Sequence, residues 1–138
     1  MSTRSHIGVR NADGTISFIY CHFDGYPSGV GNVLKKYYQD GLKIQALLNL
    51  GDISILAERV SPEEKLFPDD KIDKNQKHTF DNPIPGVTVA YHRDRGEDNT
   101  TARVTREKLM TSFLDQEYAY LYENNTWKCF HCGKEVAW

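Results

Sequence analysis

The sequence lacks both an apolar run long enough to cross a membrane and an excess of positive charge. Its mean hydropathy is −0.60, whereas a transmembrane helix needs about 20 consecutive apolar residues. Seventeen Lys and Arg stand against 19 Asp and Glu, a formal net charge of −2. Because no global basic field draws the chain to polyanions, we expect neither a membrane nor a nucleic-acid partner.

Cysteine is also scarce, which excludes one class of extracellular protein. The three cysteines are Cys21, Cys129 and Cys132, and an odd number this widely spaced does not fit a secreted disulfide framework. Residues 1–6 contain no apolar segment typical of a signal peptide. The sequence therefore predicts a cytoplasmic protein, with Cys21 in the core.

The common catalytic signatures are missing. The chain contains no Gly-x-Ser-x-Gly elbow, no phosphate-binding P-loop and no His-Glu-x-x-His. The sequence evidence for an enzyme is weak for this reason.

What the sequence does contain is a regular alternation of strand and helix patterns over 138 residues, the length of one domain. An Asp-Gly hairpin turn separates two β-rich runs, and Val30, Leu34 and Tyr38 lie on one stripe of a helix capped by Ser28. The predicted strands are 7–9, 15–21, 87–91, 117–122 and 126–130, the predicted helices are 28–40, 42–50 and 105–114, and 53–60 is a turn or short helix. This order predicts an α+β domain, residues 1–138, with a mainly antiparallel sheet of about five strands and two to three helices packed on one face.

Two segments depart from this pattern. Residues 61–86 are rich in proline and charge, which predicts a long polar surface loop. Residues 129–138 form a predicted C-terminal tail with Cys129-x-x-Cys132, half of a zinc site. Zinc needs four ligands, and His131 with Cys21, His22 or His78, or with residues of a second chain, could complete the shell. The alternative is a pair of free thiols with no metal and no cofactor.

Three polar clusters follow or precede predicted strands: 3–6, 22–27 and 92–97. In the second, a helix start favours an anion, His22 can donate or accept a hydrogen bond, and Asp24 can orient it. Gly25 shapes the turn, and Tyr26 offers a flat ring for a base. The alternative is a tight turn that serves only the fold.

The third cluster offers two guanidinium groups that could hold a phosphate. Arg93 and Arg95 can each donate in the fork geometry that phosphate and carboxylate accept. Arg4 and Ser5 of the first cluster would join them if the strands are neighbours. The alternative is a charged turn whose arginines pair with its own carboxylates.

Parts of the chain resemble a group of short, uncharacterised proteins of tailed bacteriophages and prophages. The shared runs are Thr-Arg-Ser-His-Ile-Gly at 3–8 and Tyr-Cys-His-Phe-Asp-Gly-Tyr-Pro at 20–27. Segments 51–56 and 93–97 and the tyrosine-rich hairpin ending at Trp127 are also similar, whereas the 129–138 tail departs from the pattern. The resemblance implies a phage origin, a host-cell location and one shared site, and it implies no particular reaction.

Three functional hypotheses follow. The first is a pocket for a nucleotide or other phosphate-bearing ligand, formed by Arg4, Ser5, His22, Asp24, Gly25, Tyr26, Arg93 and Arg95, which could sequester a host defence signal. The second is a small hydrolase or phosphoesterase in which His22 and Asp24 perform acid–base catalysis. The third is an inhibitor that binds a host protein through the 61–86 loop or an exposed tyrosine face. Self-association is compatible with all three.

Overall fold

The computed structural model describes residues 3–64, 66, 76–106 and 111–138, and strands dominate it. Eight strands in this part of the chain form one sheet. They are β1 (Ser5–Arg10), β2 (Ile16–Cys21), β3 (Ile53–Ile55), β4 (Val89–Ala90), β5 (Arg103–Thr105), β6 (Tyr118–Glu123), β7 (Thr126–His131) and β8 (Lys134–Val136). The α+β class is confirmed, and the expected five strands were too few.

The sheet is mixed, with the order β4-β3-β2-β1-β6-β7-β8 and β5 also paired to β2. The pairs β1–β6 and β2–β3 are parallel, and the other strand pairs are antiparallel. Strand β2 therefore has two successive neighbours along one edge. It pairs with β5 over its first half and with β3 only at Cys21.

The helices are short. A single π-helical turn, Pro27–Gly31, leads directly into α1 (Asn32–Tyr37), and α2 (Gly41–Asn49) and α3 (Tyr91–Arg95) follow. Ser28 is not the N-cap that the sequence predicted, because Pro27 already opens the turn and Ser28 lies inside it. Asp40 caps α2 by accepting the Leu42 N–H at 2.9 Å.

The predicted helical stripe is buried against one side of the sheet. Val30, Leu34 and Tyr38 pack with Ile7 and Ile19 in the larger hydrophobic cluster. The same cluster includes Ile44, Leu47 and Leu48 of α2. The prediction that these helices cover one face of the sheet is therefore confirmed for α1 and α2. We call this the helix face.

Two other predicted elements turned out differently. Ile53–Ile55 is strand β3 rather than a turn or short helix. The predicted helix 105–114 begins instead with the end of β5, because β-branched Val104 and Thr105 pair with β2. Residues 107–110 lie outside the described residues, and 111–114 form turns. Phe113 is fully buried, as expected.

The 61–86 segment and the 129–138 segment differ in how well they match the prediction. In the 61–86 loop, residues 65 and 67–75 lie outside the described residues, and the described parts contain no helix or strand. The expected tail is instead the end of β7 and strand β8. Cys132 and Gly133 both have positive φ, of 50° and 85°, which suits a tight hairpin turn between these strands.

The tyrosines of β6 share one side of the strand, as predicted, but this side is not an exposed contact surface. Tyr120 is fully buried and donates its hydroxyl to the Gly25 carbonyl at 2.7 Å. Tyr118 and Tyr122 are half-buried and pack on the larger cluster. Among the described residues, no helix has the length and apolar character that crossing a membrane requires.

Candidate functional site on the open face of the sheet

The two sides of β2 carry different chemistry. Ile19 and Cys21 point into the helix face, whereas Phe18 and Tyr20 point to the other side. The β-ladder continues past the end of β2, since the His22 N–H donates to Ile53 and the Phe23 N–H to Ser54. His22 therefore lies on the same side as Tyr20. We call this side, with Arg4, His6, Phe18, Tyr20, His22, Asp52, Ser54, Tyr91 and Arg103, the open face.

Tyr20 and His22 form a hydrogen-bonded pair on the open face. The Tyr20 hydroxyl and the His22 Nδ1 are 2.8 Å apart, and both side chains are half-buried. Burial raises the pKa of the Tyr20 phenol, which stays protonated at neutral pH. Within the described part of the chain, the other ring nitrogen of His22 has no hydrogen-bond partner.

Arg4 lies beside this pair. The β1–β2 register pairs Ser5 with Cys21, and one further step places Arg4 opposite His22. Arg4 is exposed, and its charge offsets part of the increase that burial causes in the Tyr20 pKa. Its guanidinium makes no hydrogen bond or ion pair with any described residue. It is therefore free to bind an external group.

A buried carboxylate holds the sheet together next to Tyr20. Asp52 accepts two hydrogen bonds from the Arg103 guanidinium, at 2.9 and 3.1 Å, and a third from the Tyr20 N–H at 3.0 Å. This N–H lies where β2 changes its neighbour from β5 to β3. The carboxylate thus satisfies a backbone donor that neither strand reaches, and the pair ties β5 to β3.

Tyr91 and Arg95 form the opposite flank of the open face. Burial raises the pKa of the Tyr91 phenol, and Ser54 lies beside its hydroxyl. The nearby positive charge of Arg95 offsets part of this increase in the Tyr91 pKa. Arg95 is 56% exposed, and its guanidinium lies 4.9 Å from the centre of the Phe80 ring and 3.7 Å from Glu97. Of the two predicted arginines, Arg95 is therefore the one that lies near the open face.

Arg93 is used inside the protein instead. Its guanidinium binds both Asp94 oxygens, at 2.9 and 3.0 Å, and the carbonyls of Val60 and Thr88, each at 2.6 Å. Four of its five N–H groups are thus occupied. Asp94 is buried and also contacts His78 at 3.2 Å. The expected phosphate clamp of Arg93 with Arg95 stays a prediction, and in the structure Arg93 anchors α3 to the carbonyls of two segments that precede it.

The Asp24-Gly25-Tyr26 turn lies away from the open face. The Tyr26 hydroxyl donates to the Asp24 carboxylate at 2.9 Å. The sequence predicted that N–H groups at this helix start favour an anion. Those of Gly29 and Val30 donate instead to the carbonyls of Tyr26 and Asp24. Phe23, Asp24 and Ile55 line a small cavity of about 190 Å³ at this turn. His22 and Asp24, the predicted catalytic pair, have different hydrogen-bond partners.

Ser5 and Gly25 lie within the fold. Ser5 is fully buried, and its hydroxyl lies beside the Cys21 thiol across the ladder. The Gly25 N–H donates to the Thr3 carbonyl at 2.9 Å, and a Cβ at Gly25 would approach that oxygen to 2.8 Å. The first two polar clusters therefore meet, and at Ser5 and Gly25 they do so as backbone packing rather than as part of a ligand pocket.

The cysteines occupy separate environments. Cys21 is fully buried, and burial raises the pKa of its thiol to about 12. Cys129 is buried in the helix-face cluster, whereas Cys132 is exposed in the last hairpin turn. No three His, Cys, Asp or Glu side chains in the described residues are grouped to hold a metal ion.

Two adjoining cavities extend the open face along β2. The smaller, of about 330 Å³, is lined by His6, Phe18, Tyr20, Asp52, Arg103, Ser112, Asp115 and Gln116. The larger, of about 650 Å³, is lined by Phe18, Arg103, Val104, Thr105, Arg106 and Ser112. They share Phe18, Arg103 and Ser112, so they form one groove of the size that small ligands occupy.

Sequence reasoning found Arg4, His22 and Arg95 but missed Tyr20, Asp52, Tyr91 and Arg103. The alternation of β2 could have identified Tyr20, because it shares the parity of His22. The Asp52–Arg103 pair spans 51 positions and left no local signal.

The fold and site together define a small α+β protein with an open, mixed-charge and aromatic sheet face. No family model matches the chain, and no curated protein or solved structure matches it either.

Proposed function

We propose that this protein binds a small ligand that carries a phosphate and a flat ring, such as a nucleotide, on the open face. The observation that supports this proposal is the Arg4 guanidinium beside the Tyr20–His22 pair, which has no partner among the described residues. A guanidinium donates to phosphate in a planar fork, and a half-buried phenol ring gives a base a surface for stacking.

Each side chain has a defined role in this proposal. Arg4 donates to the phosphate, and the unpartnered nitrogen of His22 adds a second polar contact. Tyr20, held in place by His22, and Tyr91, beside Ser54, offer rings to the base. Arg95 supplies positive charge from the other flank. Because the hydrogen bond to His22 already fixes Tyr20, ordering this ring costs little entropy on binding.

The resemblance to tailed-phage proteins suggests a biological setting. In an infected cell, a protein that binds a signalling nucleotide without changing it would lower the free concentration of that signal. We therefore extend the proposal to the sequestration of a host nucleotide signal.

Isothermal titration calorimetry against a panel of nucleotides tests the proposal. We expect at least one nucleotide to bind, and Arg4→Ala to weaken this binding at least tenfold. Lys36→Ala is the matched control, since it removes an exposed positive charge from α1 on the other face and should leave affinity unchanged. No heat with any nucleotide, or equal affinity of the wild type and Arg4→Ala, would refute the proposal.

A second candidate function is hydrolysis of the same ligand by His22. The Tyr20 hydrogen bond fixes one ring nitrogen of His22 and leaves the other toward a bound group, as an acid–base catalyst requires. Chromatography of the recovered ligand separates the two functions, because a binding protein returns it intact. Product formation that disappears in a folded His22→Ala variant would establish the enzyme.

A further inference from the structure

The larger cavity at the β5 end of the groove has features of an anion site. Its lining includes Arg103 and Arg106, together with the polar side chains of Thr105 and Ser112. Phe18 contributes an apolar wall. Neither arginine stands in one of the three polar clusters that the sequence indicated.

Arg103 is pre-organised for binding. Asp52 accepts one N–H from each of its two terminal nitrogens, at 2.9 and 3.1 Å. The remaining three of its five N–H groups are not used by this pair. The side chain is 49% exposed. The carboxylate therefore fixes the plane of the guanidinium and leaves donors facing the cavity.

Arg106 provides a second positive charge, which also acts on the nearby Asp13 carboxylate. It is exposed, and it makes no hydrogen bond or ion pair with the residues that the structure describes. It follows Thr105, which pairs with Ile16. Arg106 therefore lies at the far end of β5 from the open-face tyrosines.

The Arg103–Arg106 end of the groove is well separated from Arg4 and His22, which lie beyond the residues that line the two cavities. Arg103 lies opposite Phe18, whereas Arg4 lies opposite His22. Four residues of strand at roughly 3.3 Å each separate these positions by about 13 Å. Stacked nucleotides advance about 3.4 Å per step, so the separation corresponds to roughly four steps. The single phosphate of a mononucleotide reaches one end only.

We propose that the Arg103–Arg106 cavity is a second phosphate-binding subsite and that the ligand is a short single-stranded oligonucleotide spanning it and the Arg4–His22 subsite. This inference rests on the proposed function of the open face and specifies its ligand class. The local positive charge at both ends acts at short range, so it is compatible with the net charge of −2.

The middle of the groove fits the base portion of such a ligand. His6, Phe18 and Tyr20 line it with rings, and bases stack on aromatic side chains without strict sequence preference. Asp115, which is 60% exposed there, accepts hydrogen bonds and suits the amino group of a base. This carboxylate disfavours phosphate in the middle and leaves the two ends as the phosphate subsites.

Two probes test the inference: deoxycytidine 5′-monophosphate and a 5′-phosphorylated five-nucleotide deoxycytidine strand, whose first and last phosphates are four steps apart, titrated separately into the wild-type protein. We expect the strand to bind with one copy per protein and at least tenfold more tightly than the mononucleotide. Arg106→Ala should remove most of that gain while leaving the affinity for the mononucleotide unchanged. Lys36→Ala is again the control for charge.

Salt dependence gives an independent readout. Each phosphate contact to a single strand contributes about 0.7 to the slope of log affinity against log salt concentration. Arg106→Ala should lower the slope for the strand by about this amount, and Arg106→Lys should restore it.

The outcomes separate this inference from the proposed function. Equal affinities for the two probes, two strands bound per protein, or an unchanged strand affinity in Arg106→Ala would overturn the second subsite and leave the Arg4–His22 site standing. If neither these probes nor any nucleotide in the panel binds, both proposals fail.

Discussion

The two sides of β2 differ in almost every respect although they belong to one six-residue strand. On the helix face, Ile19 and Cys21 are fully buried under α1 and α2. On the open face, Tyr20 and His22 are half-buried and bonded to each other. A strand with period-two alternation thus stabilises the fold with one set of residues and presents polar chemistry with the other.

The second polar cluster shows the same division within consecutive residues. His22 extends the ladder and faces the open side, whereas Asp24 has left it with a φ of 58° and forms a turn with Tyr26. Two residues that are two positions apart in one motif thus serve different purposes. A sequence motif groups residues by position, but the alternation of the strand separates them in space.

The largest expected effect is a loss of stability when the packing of the helix face is disrupted. Leu47 is fully buried in its cluster, so Leu47→Ala should lower the free energy of unfolding by about 2–5 kcal/mol. Urea denaturation followed by circular dichroism measures it. Val104→Ala on β5 is the control: this side chain is 58% exposed, and the change should be about 0.5 kcal/mol or less. Similar losses in both variants would contradict the assignment of the core.

A smaller loss of stability is expected when Asp52 is replaced, at the point where β2 changes its neighbour from β5 to β3. Asp52→Ala removes the acceptor of the Tyr20 N–H and of Arg103. We expect a loss of about 2 kcal/mol in unfolding free energy, because a buried donor stays unsatisfied while half-exposed Arg103 recovers water. Thermal and urea unfolding both report it. Asp115→Ala, at a 60% exposed carboxylate, should cost little, and an equal loss there would argue against the Asp52 interaction.

The smallest effect concerns pH and His6. Burial is the main cause that lowers the pKa of His6, although its hydrogen bond to the Phe113 carbonyl and the nearby Asp115 act in the opposite direction. The folded protein therefore favours the neutral ring. As pH falls through the ordinary histidine pKa of about 6.5, the unfolded chain takes up its proton first, and stability decreases.

Urea unfolding between about pH 7.5 and pH 5.5 tests this sign, since ordinary carboxylates titrate mainly at lower pH. The wild type should lose stability over this window, and His6→Gln should lose less. A wild-type stability that rises toward pH 5.5, or an identical slope in His6→Gln, would contradict the burial of a neutral His6.

The sequence predicted the elements that depend on local pattern. The hairpin of β1 and β2, the buried stripe of Val30, Leu34 and Tyr38, and the last hairpin follow from periodicity and turn residues. Strand β3 was missed because three residues carry no clear period. Strand β8 was missed because its turn, Cys132-Gly133, was interpreted as a metal motif.

The site was harder to predict because its contacts are long-range. Arg93 and Arg95 are two positions apart in sequence, yet one anchors Asp94 and two carbonyls while the other remains largely exposed. No local pattern distinguishes them. The Asp52–Arg103 pair likewise depends on where β3 and β5 meet along β2. Such junctions arise from the topology of the sheet.

Chemical-shift mapping by NMR with a nucleotide tests the central claim most directly, because it reports which side of the sheet the ligand contacts. The account predicts that the backbone amides of Arg4, Tyr20 and His22 shift with nucleotide concentration, while those of Ser28 and Asn32 beside the small cavity stay in place. Shifts confined to the Asp24–Asn32 segment, or none at saturating nucleotide, would contradict it.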